Sequence, residues 1–77
     1  MSTYTDLLKI AANAIHRPLS ELSLDTPFEE QNLDSIDLVE ILLAVEDRFG
    51  IYVPDSQVVE LRTLAQLAAW LDEHSNR

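Results

Sequence analysis

The stretch NLDSIDLVEILLAVEDRFG, residues 32–50, decides the fold. It reads as one long amphipathic helix that begins at Asp34 or Ser35. Asp34 can accept backbone amides there, and Asp37 places a negative charge in the first turn, where the helix dipole favours it. Gly50 closes the helix as a left-handed residue. On a wheel of 100° per residue, Leu38, Ile41, Leu42, Val45 and Phe49 fall within an arc of about 100°, the face expected in a core. Ile36 and Leu43 sit together roughly 140° from the centre of that arc. Val39 bridges the two stripes, and Glu40 and Asp47 flank the second. One stripe suffices to build a core. The second is either covered by a neighbouring loop or left as small apolar anchors inside an acidic rim, suited to a basic partner.

Outward from this helix, periodicity gives an all-α chain. Leu7, Leu8, Ala11, Ala14 and Ile15 recur at helical spacing, with Ser2 or Thr3 as cap and Pro18 as terminator. His16 and Arg17 then fall where cations favour the carbonyl end. Residues 18–33 form a long connection with a short helical turn near 19–22. Leu19, Leu22, Leu24, Phe28 and Leu33 are expected to pin it to the core. Beyond Gly50, residues 51–53 are extended, and Asp55 or Ser56 caps a short helix at 57–61. Thr63 and Gln66 make the capping-box pattern for a last helix buried through Leu64, Leu67, Ala68 and Leu71, with His74 near its end. The predicted fold is a small four-helix bundle with a long loop between helices 1 and 2 and a short third helix. Residues 1–77 are expected to be one domain.

Composition removes several classes of function. The chain has no cysteine, which excludes disulfides, thiolate metal sites and cysteine nucleophiles. No segment has the length or apolarity to span a bilayer, and the first residues do not resemble a signal peptide, so the cytoplasm is the expected location. Fourteen acids face five bases, for a net charge of −9. Between Arg17 and Arg48 there is no base, yet nine acids lie there: Glu21, Asp25, Glu29, Glu30, Asp34, Asp37, Glu40, Glu46 and Asp47. Nucleic acid and anionic membranes would be repelled, and a protein with a basic patch would be steered in. Tyr4, Tyr52 and Trp70 are too scattered among acids for a base-stacking platform.

Ser35 has two readings. A serine at a helix start is ordinarily a cap. As a nucleophile it lacks support: His16 and His74 end other helices, and no GxSxG elbow is present. A serine modified by another enzyme needs neither, only exposure and a helix start as landmark. The acids Asp25, Glu29, Glu30 and Asp34 do not follow calcium-loop spacing, and no glycine lies among them, so no metal site is assigned.

The run Leu33-Asp34-Ser35, the helix ending in Phe49-Gly50, and Val53-Pro54-Asp55 resemble the acyl carrier proteins over almost the whole chain. Ile36 replaces the usual leucine of the Asp-Ser-Leu motif. The resemblance implies that Ser35, flanked by Asp34, carries 4′-phosphopantetheine transferred from coenzyme A by a phosphopantetheinyl transferase. It implies that the arm's thiol holds acyl intermediates of fatty acid, polyketide or related biosynthesis as thioesters. Ile36, Asp37, Glu40, Leu43 and Asp47 match positions that meet basic-faced enzymes such as ketosynthases, acyltransferases and reductases. Leu38, Ile41, Leu42 and Val45 are candidates to line an acyl cavity. The protein would be a monomeric carrier and not an enzyme. A peptidyl or aminoacyl carrier is the alternative, although Asn32-Leu33-Asp34-Ser35 departs from the Gly-Gly-x-Ser signature typical of those domains. An unmodified acidic interaction module and a small cation-binding protein remain as rivals from other classes.

Overall fold

Ser2 starts the first helix, α1 (Thr3–Ala14): its hydroxyl accepts the Thr5 amide at 3.1 Å and so satisfies one of the donors that a helix start leaves without a partner. The computed structural model describes residues 2–74. Leu7, Ala11 and Ala12 are buried, and Leu8, Ala14 and Ile15 pack partly buried against them.

The end of α1 corrects the expectation from sequence. The helix stops at Ala14, ahead of Pro18, because His16 adopts the left-handed conformation with φ 58°. The Arg17 amide then reaches the Ala12 carbonyl at 3.0 Å, and the His16 amide reaches Asn13 at 3.4 Å. These are the paired bonds of a Schellman ending, which a glycine usually makes. The last turn of α1 holds no basic residue. The chain reversal at His16 swings Arg17 away from α1 and toward residues 31–37.

The connection to the second helix contains two 3₁₀ turns, Leu19–Glu21 and Phe28–Gln31. Leu22, Phe28 and Leu33 are buried and Leu24 is partly buried, as the sequence predicts. Leu19 is not an anchor. It is 43% exposed, because Leu22, extended directly after the turn, takes the core position. The second turn and the role of Gln31 escape a reading of periodicity. Gln31 Oε1 accepts the Ser23 amide at 2.9 Å, and Nε2 donates to the carbonyls of Ser23 and Thr26 at 3.0 and 2.9 Å. Two backbone bonds fasten this connection to the far side of the molecule: Phe28 to the Arg62 carbonyl, and Ala65 to the Leu24 carbonyl, each 2.9 Å.

Helix α2 (Ser35–Phe49) is capped by Asp34, whose carboxylate accepts the Asp37 amide at 2.9 Å. Gly50 ends it at φ 70°, with its amide on the Glu46 carbonyl. A β-carbon at Gly50 would meet nothing within 4 Å, so backbone conformation alone selects glycine there. Helix α3 (Asp55–Val58) starts and ends earlier than predicted. Pro54, not Asp55 or Ser56, holds the cap position. Its fixed φ of −64° sets the turn, and its carbonyl accepts the amides of Gln57 and Val58. The β-branched pair Val58 and Val59 then favours leaving the helix.

Helix α4 (Leu64–His74) begins at Thr63, whose hydroxyl accepts the Gln66 amide at 3.0 Å. Gln66 returns a bond to the Arg62 amide at 2.6 Å, a capping box displaced by one residue. Leu64, Leu67, Ala68 and Leu71 are buried, as predicted. Trp70 donates its indole N–H to Gln57 at 3.1 Å, which ties α4 to α3, and stacks on His74 at 3.9 Å within α4.

The architecture is therefore an all-α bundle in which α1 packs on both α2 and α4, with a long braced connection and a short α3. Leu7, Ile41, Val45, Leu64, Leu67 and Leu71 are its fully buried centre. Each such aliphatic side chain contributes about 1.5–3 kcal/mol on leaving water. Among the described residues no buried polar side-chain atom lacks a partner, and no helix is long and apolar enough to cross a membrane.

Candidate functional site

Ser35 is the first residue of α2 and is exposed, and among the described residues its hydroxyl makes no hydrogen bond. The cap is Asp34, so the ordinary reason for a serine at this place does not apply. The amides of Ser35 and Ile36 also have no acceptor among the described residues. They leave the positive end of the helix open beside the hydroxyl. Neither histidine borders Ser35: His16 forms the end of α1, and His74 Nδ1 lies 2.8 Å from the Trp70 carbonyl oxygen. The site therefore offers an accessible hydroxyl with no base of its own.

Arg17 fixes the backbone that leads to this serine. Its guanidinium donates to the Gln31 carbonyl at 3.2 Å, to the Asn32 carbonyl at 2.8 Å and to Asp37 Oδ2 at 3.5 Å. Asn32 is left-handed, φ 63°, and the next amide, Leu33, returns to the Phe28 carbonyl at 3.0 Å. The second 3₁₀ turn and the first turn of α2 are thus held by one side chain from beyond the end of α1. The sequence reading missed this because the partners are mainly backbone carbonyls, which no side-chain pattern reports.

An open groove of about 300 Å³ runs from Ser35 toward the junction of α3 and α4. Buried Phe28 and Leu33 and half-buried Leu38 and Leu61 form its apolar lining, with Glu29, Asp34 and Arg62 as charged groups and Val59 at its edge. Leu38 is the one acyl-cavity candidate that reaches this groove. Leu42 borders a second groove of about 190 Å³ together with Val39, Leu43, Tyr52 and Val53. Ile41 and Val45 are wholly enclosed in the core.

The second stripe of α2 is open to solvent. Ile36 is 67% exposed, Leu43 60% and Val39 53%, so no loop covers them. Glu40, Glu46 and Asp47 are exposed around them, whereas Asp37 is half-buried by its contact with Arg17. Tyr52, exposed beside Val39 and Leu43, enlarges the apolar face beyond α2, whereas exposed Val59 belongs to the Ser35 groove. The alternation of outward Tyr52 with buried Val53 was the signal available in sequence for the first of these. Among the described residues no three His, Asp or Glu side chains converge where they could hold a metal ion.

Comparison with known proteins bears on this arrangement directly. Residues 5–71 match the family model described as "Phosphopantetheine attachment site". The sequence is 30% identical over 71 residues to an acyl carrier protein of Rickettsia bellii (strain RML369-C), covering 91% of this chain and 83% of the relative. It is 27% identical over 77 residues to the acyl carrier protein of Chlamydia trachomatis serovar L2, covering 99% of this chain and the whole of the relative. It is 26% identical over 73 residues to that of Helicobacter hepaticus, covering 94% and 96%. The matched span includes α2, the groove at Ser35 and the exposed stripe.

Proposed function

The chain belongs to the acyl carrier protein family, whose prosthetic group is covalent 4′-phosphopantetheine, and from that premise we propose that Ser35 bears the group and that the protein carries acyl intermediates without catalysing their chemistry. The observation that supports Ser35 most is its exposed hydroxyl at the first residue of α2, released from capping by Asp34. The residues around it suit the group: an open helix start favours a phosphodiester anion, and the groove admits an elongated chain. When bound, 4′-phosphopantetheine supplies a terminal thiol that holds the cargo as a thioester. The protein contributes a landmark for the transferase, through Asp34 and the braced turn, and a docking face for the enzymes that use the cargo.

That face is the exposed stripe. Ile36 and Leu43 are the apolar anchors, Glu40 and Asp47 supply attraction, and Asp37 contributes both to the stripe and to the brace. A phosphopantetheinyl transferase and basic-faced ketosynthases, acyltransferases and reductases are the partners in this reading. Fatty acyl, polyketide or related acyl units are the cargo in this reading. Tethering raises the cargo's effective concentration at each partner, while weak steered docking permits exchange. A sequestered acyl chain would enter at Leu38, with Ile41, Leu42 and Val45 parting to line its path.

Intact-protein mass after incubation with coenzyme A and a broad-specificity phosphopantetheinyl transferase tests the proposal, with Ser35→Ala as control. A gain of one phosphopantetheine group by the parent alone supports it. No gain by folded parent, or a gain by both proteins, overturns Ser35 as the site.

A further inference from the structure

We infer that Arg62 is the resident counter-ion of the arm, holding its phosphodiester in the groove between the start of α2 and the α3–α4 junction. The inference rests on Ser35 being the attachment residue. The argument begins with how few cations the chain has. Four of the five bases lie among the described residues: Lys9, Arg17, Arg48 and Arg62. Arg17 is engaged by Gln31, Asn32 and Asp37. Lys9 and Arg48 border a different groove, between α1 and α2. Arg62 alone of these four lines the groove that contains Ser35, and it makes no ion pair among the described residues.

The backbone of Arg62 is held on both sides, and its side chain makes no hydrogen bond or ion pair among the described residues. Its amide donates to Gln66 Oε1 at 2.6 Å, and its carbonyl accepts the Phe28 amide at 2.9 Å. Arg62 is exposed and lines the groove from this fixed root. Ser35 lines the same groove, and the open amides of Ser35 and Ile36 lie at the start of its helix. Glu29 and Asp34 line the same groove. A phosphodiester on Ser35 Oγ would be repelled by these two carboxylates, and the helix start and Arg62 are the groups able to offset that. Guanidinium groups suit phosphate oxygens because their planar N–H fork can donate to two at once.

The apolar residues extend the same path. Val59 is 75% exposed, the most exposed large apolar side chain described, and it lines this groove with Leu61 and Leu38. An exposed valine between Val58 and Glu60 has no packing role in the bundle, and it gives the hydrocarbon part of the arm a surface to lie on. The root of the arm would then rest in one direction, toward α3, until salt or a docking enzyme releases it.

The test uses loaded protein, with loading established first by intact mass, so that failure to load is read separately from failure of the Arg62 contact. Nuclear magnetic resonance then compares loaded and unloaded protein through the Arg62 Nε–Hε signal, the amides of residues 59–62 and the ³¹P signal. In the parent, loading should move the Arg62 Nε–Hε signal, and the ³¹P signal should shift between low salt and molar salt, where the Debye length falls to about 3 Å. In Arg62→Gln the ³¹P signal should lose that salt dependence, whereas Lys9→Gln should retain it. Arg62→Lys keeps the charge and should retain part of it, which separates lost charge from altered fold. An unmoved Arg62 signal on loading, or identical ³¹P behaviour in the parent and Arg62→Gln, overturns the inference.

Discussion

Arg17 donates to the Asp37 carboxylate at 3.5 Å across the gap between the end of α1 and the first turn of α2. The pair itself is weak, since both side chains keep about a quarter of their surface in water, and such pairs contribute no more than about 1 kcal/mol. The stronger part is the bond to the Asn32 carbonyl at 2.8 Å, backed by the one to Gln31. Arg17→Gln should therefore cost about 1.5–3 kcal/mol, the range for a hydrogen bond to a charged group. The urea midpoint should fall with little change in slope. Arg17→Lys should recover only part, because one ammonium does not span two carbonyls and a carboxylate as a planar fork does. An unchanged midpoint for Arg17→Gln would mean that water replaces the guanidinium without penalty.

Asp34 and Ser35 are adjacent, yet only the first supports the fold. Asp34→Ala removes the acceptor of the Asp37 amide and should cost about 1 kcal/mol, as for other helix caps. Ser35→Ala removes an exposed hydroxyl without a partner and should stay within about 0.5 kcal/mol of the parent. Thermal unfolding of both variants decides this. The opposite ranking would return the capping role to Ser35 and weaken it as an attachment residue.

The sequence is legible where side chains repeat with the helix and opaque where backbone does the work. The stripe of Ile41 and Val45, the buried face from Leu64 to Leu71 and the cap at Thr63 follow from spacing and from side chains able to accept an amide, while Ser2 over Thr3 as cap and Asp34 ahead of Ser35 are settled only by the fold. The exposed pair Ile36 and Leu43 follows from the same wheel, although only the folded structure shows that nothing covers them. The stop of α1 is not legible in sequence, because a left-handed histidine carries no pattern signal and the visible Pro18 stands close by. Helix α3 reads too late in sequence because the side chains of Asp55 and Ser56 look like caps, while the backbone carbonyl of Pro54 does the capping. The Ser35 groove joins residues 28–38 to residues 59–62, and no local window contains both.

Left-handed residues allow two tests of opposite sign. His16 adopts φ 58° with a side chain present, so His16→Gly should stabilise the protein by about 0.5–1 kcal/mol, the relief of left-handed strain less the added freedom of glycine in the unfolded chain. Gly50 adopts φ 70°, and Gly50→Ala should cost about 1 kcal/mol although there is space for a methyl group. Chemical denaturation of the two variants would show midpoints on either side of the parent. Two destabilising shifts would contradict the reading of His16, and two stabilising shifts that of Gly50.

The exposed face of α2 allows its electrostatic and apolar parts to be separated. Glu40 is exposed beside Ile36 and Leu43, and it lines none of the grooves described, so Glu40→Lys should leave stability within about 0.5 kcal/mol. Asp47 borders the groove that also holds Lys9 and Arg48, so Asp47→Lys gathers three cations and should destabilise somewhat more. With a basic-faced partner enzyme at low salt, either reversal should lower kcat/KM several-fold through slower association, since rim charges act on encounter. The deficit should shrink as the Debye length falls from about 10 Å at 0.1 M salt to about 3 Å at 1 M. Leu43→Ser should behave differently. It removes an apolar anchor, so its loss of kcat/KM should persist at high salt. Equal kcat/KM for parent and both charge reversals across several partners would remove α2 as the docking face. A Leu43→Ser defect that vanished with salt would show that the stripe acts through charge alone.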